Sequence, residues 1–228
     1  MHWLPSCSAA AKTLRSTTWW AAHTAVLLLA GWGATHLQPA GGSSTGGPPP
    51  LPNPVLAGPP RRATNIPTLE RMAPYKMVVK KISLWAMIDE IGMKPDGRIE
   101  TPLYAKADRA AWYRSGPAPG EPGPAVILGH VDSKDRIAAF FYLSKVRPGD
   151  RIEIVRADRS TAVFEVDSVE QFAKADFPTG RVYGHTPEAT LRLVTCGGRY
   201  NTKTQSYPDN VVVFATMVDF IPSPSARR

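Results

Sequence analysis

The feature that most constrains this chain is a series of short apolar segments in its last 155 residues, each closed by glycine, proline or a polar turn. The segments "DRIEIVR" (150–156) and "TAVFEVD" (161–167) alternate apolar and polar residues, and "RADRS" between them reads as a hairpin turn. "PAVILGH" (124–130) is a continuous apolar run of the length of a buried strand. "TLRLVTC" (190–196) and "NVVVFATMV" (210–218) supply two more strands, and "MVVKKISLWAMI" (77–88) is rich in strand-forming residues. "RIAAFFYLSKV" (136–146) is the best helix candidate, and it is short. Many short strands with so little helix between them point to a mainly β domain, closed into a barrel so that few strand edges are left open. Residues 74–228 are enough for one such core.

The first 73 residues have a different composition. Of the 27 Lys and Arg, only Lys12, Arg15, Arg61 and Arg62 precede residue 70, and all 19 Asp and Glu follow Leu69. Residues 1–18 read as a cytoplasmic N-terminus. Residues 19–37, "WWAAHTAVLLLAGWGATHL", carry no Lys, Arg, Asp or Glu and have tryptophans at 19, 20 and 32. At about 1.5 Å per residue such a run can cross the hydrocarbon core of a bilayer as a helix. Basic residues on its N-terminal side predict a single-pass signal anchor, with the larger C-terminal part outside the cell. A cleaved signal peptide is the competing reading. Residues 38–73 are rich in glycine, serine and proline and read as a disordered stalk. The remaining domain is only mildly basic, which is not the footprint of a nucleic-acid binder.

The chain has two cysteines, Cys7 and Cys196. With the anchor between them they would lie on opposite sides of the membrane, leaving Cys196 an unpaired thiol in an oxidising compartment. It ends a strand and precedes Gly197 and Gly198, a position that exposes a nucleophile better than it packs a small apolar side chain. A nucleophilic thiolate needs a histidine nearby. His130 ends the run "AVILGH", also at a strand-to-loop junction, whereas His185 sits in the polar turn "VYGHTPE". Two such strands side by side would bring Cys196 and His130 to one rim. No Asp/Glu cluster reads as a calcium site, no second thiol offers a zinc site, and no cofactor is expected.

Taken together, "GPAVILGHVDS", "LRLVTCGG" and "DNVVVFA" resemble the sortases, cysteine transpeptidases of the bacterial surface, and most closely those of class F. The resemblance covers roughly residues 76–219 and includes "AAWYRSGPAPGEPG" and "RPGDRIEIVRAD". It implies a barrel of about eight strands with short helices. It also implies a thioester acyl-enzyme on Cys196, with His130 as proton donor and acceptor. The substrate would be a secreted protein bearing a C-terminal LPxTG-like sorting signal, and the acceptor a cell-wall precursor amine or water.

Sortases further use an arginine on the strand after the cysteine to steady the oxyanion. Here that strand opens "SYPDNVVVFA", and Pro208, Asp209 and Asn210 stand near the expected place. Asn210 is the best match, because its amide N–H can donate to an oxyanion. Arg199 could fold back from the loop. Arg192 shares the strand face of Cys196 but lies about 13 Å away along the strand. Asp132 could orient the His130 loop, and Val182 and Tyr183 could wall a substrate groove. The missing arginine keeps a second reading open: a catalytically weak or inactive module that binds sorting-signal or cell-wall peptides. A third, the other cysteine transpeptidase fold of peptidoglycan crosslinking, lacks its Ser-His-Gly-Cys cluster here.

Overall fold

The computed structural model describes residues 66–133 and 136–224. The expected cytoplasmic segment, membrane anchor and most of the stalk lie outside these residues. Among the described residues no helix is long and apolar enough to cross a membrane.

Among the described residues eight strands form the domain: β1 (Pro74–Val79), β2 (Leu84–Ile91), β3 (Ala110–Tyr113), β4 (Gly123–Gly129), β5 (Arg151–Arg156), β6 (Thr161–Ala173), β7 (Ala189–Gly197) and β8 (Asp209–Ile221). They close into a barrel in the order β1-β2-β3-β4-β7-β8-β6-β5. Alternation sets the two faces. Ala125 and Ile127 on β4, Leu191 and Leu193 on β7, and Val213 and Ala215 on β8 join the barrel interior with Met77, Phe140, Ile152, Ile154 and Phe164. The residues between them, Val126, Leu128, Val194, Val212 and Phe214, form a second apolar cluster on the outer face. A five-residue helix, α1 (Thr179–Tyr183), contributes the fully buried Val182 and the half-buried Tyr183 to that cluster. The outer face of β4, β7 and β8 is therefore covered, which is why these strands read as continuous apolar runs.

The structure adds to or changes the sequence reading at four points. The run 77–88 is two strands, β1 and β2, joined through a 3-10 turn at Lys80–Ile82 and a left-handed Ser83. The segment 136–146 is not a helix beyond a 3-10 turn at Leu143–Lys145. Its backbone is spent on the His130 loop instead: Ala138 N donates to Val131 O and Phe140 N to His130 O. β3, only four residues long, shows no alternation long enough to be read from sequence. Residues 66–73, assigned to the stalk, belong to the domain. Leu69 is buried in the core, and its amide donates to Gly120 O at 3.1 Å. Gly120 permits this: a Cβ there would come within 2.5 Å of the Leu69 side chain. The Arg71 guanidinium reaches Glu121 at 2.8 Å and Gly116 O at 3.1 Å, strapping the segment down.

Candidate active site

Register places the candidate residues. β4 and β7 run parallel, with Val126 beside Arg192 and Leu128 beside Val194. Two residues further along each strand are His130 and Cys196, on the same outer face because side-chain direction repeats every second residue. Thr195 Oγ1 donates to Gly129 O at 2.8 Å and clasps the two strand ends just before the pair. β7 and β8 run antiparallel, and Cys196 is directly opposite Asn210. Directly opposed side chains share a face with Cβ atoms about 4.5–5.5 Å apart. The barrel thus brings Cys196 between His130 on one side and Asn210 on the other.

His130 is 3% exposed. Its Nε2 lies 2.7 Å from Pro102 O, and the Tyr104 ring stacks on it with centroids 4.1 Å apart at 18°. Burial lowers its pKa from the ordinary value, with the Pro102 carbonyl and the Asp132 charge opposing. Near neutral pH the ring is therefore neutral, the state of a base rather than of a standing imidazolium. Asp132 serves the loop: it accepts a hydrogen bond from Tyr207 Oη, across the gap between the His130 loop and the β7–β8 connection. Burial and that bond raise the Tyr207 pKa.

Cys196 packs with Val131 and Tyr207, flanked by Phe141 and Tyr200. Its sulfur is disulfide-bonded in this structure, which corrects the expectation of an unpaired thiol. That expectation rested on the placement of residues 1–65, outside the described part. A disulfide sulfur is not a nucleophile, so the chemistry below belongs to the reduced protein. After the cysteine, Gly198 adopts φ 82°, a left-handed turn that L side chains rarely take, and it carries the chain off the strand.

Asn210 is 5% exposed, and its Nδ2 is buried with no hydrogen-bond partner among the described residues. A buried amide donor left unmatched costs about 1–3 kcal/mol. The neighbouring Asp209 is engaged elsewhere, accepting from Gln171 Nε2. Of the arginines, Arg199 is exposed on the loop beyond Gly198. Arg192 is buried, lies over the Phe214 ring at 4.8 Å, and donates to Leu191 O at 3.0 Å. Burial pushes its pKa down to about 10, against the pull of Asp167. It is committed to the outer-face cluster, not to Cys196. His185 is exposed near Gly123, at the far end of β4 from His130.

Sequence reading singled out the cysteine, the histidine and the asparagine, and the structure places each at a strand end. It missed Tyr104, the Pro102 carbonyl and the Tyr207–Asp132 bond. The only available signal was the pairing of aromatic residues with loops already suspected, as in "TPLY" and "SYPDN".

Residues 78–218 match the sortase domain family, more than half of the chain, and the chain belongs to that family. No curated protein matches the sequence. The fold is similar to sortase A of Listeria monocytogenes (TM-score 0.50, 16% identity, 67% of this chain and 90% of that one). It is also similar to sortase A of Corynebacterium diphtheriae (TM-score 0.52, 21% identity, 69% and 66%). Sortase C-3 of Streptococcus pneumoniae is a further match (TM-score 0.52, 12% identity, 69% of each chain). Sortases are cysteine transpeptidases; at these identities the structural likeness shows the fold.

Proposed function

We propose that this sortase-family chain is a membrane-anchored, class F-like transpeptidase. It cleaves an LPxTG-like sorting signal and passes the secreted protein to a cell-wall amine or to water. Residues 19–37 would hold the reduced protein in the membrane with the barrel outside; a disulfide between the chain's two cysteines would need both on one side. The observation that carries the reading is the convergence of Cys196, His130 and the unmatched Asn210 amide on one barrel rim.

The steps follow from the groups present. Neutral His130 takes the proton of the reduced Cys196 thiol, and the resulting thiolate attacks the threonyl carbonyl and forms a C–S bond. Charge moves to the carbonyl oxygen, where the Asn210 Nδ2–H donates to it in a site screened from water. The tetrahedral intermediate collapses, the C–N bond breaks, and His130 gives its proton to the departing glycine amine. A thioester remains. An incoming amine attacks it, His130 takes the amine proton, and the thiolate leaves with a new amide formed. An asparagine donor is neutral, so it stabilises the oxyanion less than an arginine would.

The test is a reduced protein incubated with an LPxTG-type peptide and hydroxylamine. The expected result is peptide hydroxamate that falls by about 10⁴-fold or more in Cys196→Ala. Retained peptide binding with no hydroxamate would sink the enzyme reading. It would favour the second one, a binding module, which the absence of arginine at Pro208, Asp209 and Asn210 motivates.

A further inference from the structure

We propose that Tyr104, acting together with the Pro102 carbonyl, is the positioning residue for His130, and that the pair confines the histidine's proton transfers to Nδ1. The inference rests on the reading of His130 as the proton carrier and adds how its ring is held.

A backbone carbonyl can only accept a hydrogen bond. With Nε2 at 2.7 Å from Pro102 O, that nitrogen carries a hydrogen in both charge states of the ring. The proton that comes and goes is then the one on Nδ1. In the familiar hydrolase arrangement a carboxylate performs this orienting task. A neutral carbonyl fixes the tautomer with far less effect on basicity, in keeping with a histidine whose pKa stays below its ordinary value.

One hydrogen bond leaves the ring free to tilt about it. The Tyr104 ring, two residues along the same segment and stacked nearly parallel on the imidazole, removes that freedom. The segment is itself anchored. Lys106 N donates to Leu103 O and Arg109 N to Lys106 O, both at 2.9 Å. Ala139 N donates to Ala107 O at 2.9 Å, next to the Phe140 amide that binds His130 O. The histidine's backbone and its clamp are thus tied to one stretch of chain. Tyr104 is 40% exposed and belongs to none of the buried apolar clusters, so core packing does not account for it. What it contributes is a flat face, and phenylalanine offers the same face.

The experiment uses reduced protein labelled with ¹⁵N-histidine, with the His130 signals assigned by their loss in His130→Gln. The expected spectrum of the neutral ring is the Nε2–H tautomer. In Tyr104→Leu the Nδ1–H tautomer becomes populated, and the His130 pKa moves up toward its ordinary value as water reaches the ring. In the hydroxamate assay Tyr104→Leu lowers kcat about tenfold or more with KM nearly unchanged and an altered pH profile, whereas Tyr104→Phe stays within about twofold. A neutral wild-type ring in the Nδ1–H form would overturn the proposal. So would a Tyr104→Leu variant with wild-type tautomer, kcat and pH profile. The spectrum needs no turnover, so it tests the clamp even in a protein that forms no hydroxamate. Normal hydroxamate formation in Tyr104→Leu would remove the clamp and leave the sortase reading standing.

Discussion

Cys196 has a neighbour on each side, and the two are built differently. On the β4 side His130 is gripped at an edge by a carbonyl and on a face by an aromatic ring, and its loop is pinned by the Tyr207–Asp132 bond. On the β8 side Asn210 has a buried amide nitrogen with no partner among the described residues. The first side is complete before any substrate arrives. The second keeps a donor that an acceptor on a bound ligand would satisfy. That is the division expected of a rigid proton carrier and a donor held ready for charge that develops in the reaction. The lesson is that an unmatched buried donor beside the proposed nucleophile is more informative than its residue type, which here departs from the arginine the family resemblance implies.

Substitutions can break this contrast. His130→Gln should cost about 10²- to 10⁴-fold in kcat, because the other histidine among the described residues, His185, lies at the far end of β4. Measuring kcat for hydroxamate formation checks it, and a loss below tenfold would move the proton carrier elsewhere. Asn210→Ala should cost less, about 10²-fold in kcat with little change in KM, as for loss of one oxyanion donor. The variant also deletes an unmatched amide, so its urea midpoint should hold steady or rise. A drop in stability with unchanged kcat would make Asn210 a structural residue instead.

The smallest effect is on pH dependence. Burial holds the folded His130 pKa below the unfolded value of about 6.5. Between those two values the unfolded chain binds more protons. The stabilisation is therefore complete above pH about 6.5 and is lost as pH falls toward the folded pKa. Urea midpoints of wild type should fall more than those of His130→Gln across that window. Parallel curves would show that His130 is not buried as a neutral ring. Alkylation of the reduced Cys196 should likewise quicken as pH rises above neutrality, since a neutral His130 offers no imidazolium to hold a thiolate.

Much of this molecule was readable before its structure. The hairpin of β5 and β6 came from a period of two bounded by turn residues, and the strand ends at His130 and Cys196 came from glycines that stop apolar runs. Other parts were not readable, for physical reasons. β3 is too short to show a period. The segment 136–146 has helix-compatible residues, but its amides are claimed by the His130 loop, and local propensity yields to such tertiary bonds. Leu69 looks like one apolar residue in a proline-rich stalk until Gly120 opens a place for it. The Pro102 carbonyl carries no sequence signal at all, because every residue has one, and its bond to His130 spans 28 positions.

By itself the sequence determined which side chains share a face, since that depends only on the alternation of the strand carrying them. It also supplied the thiol, the imidazole and the amide, and left out an arginine. Only the tertiary structure decided that β4 lies beside β7 and not beside β5, its successor in the chain. That choice is made by closure of the whole barrel, where each strand's partner is set by all the others. It turns two strand ends, 66 residues apart in the chain, into one site.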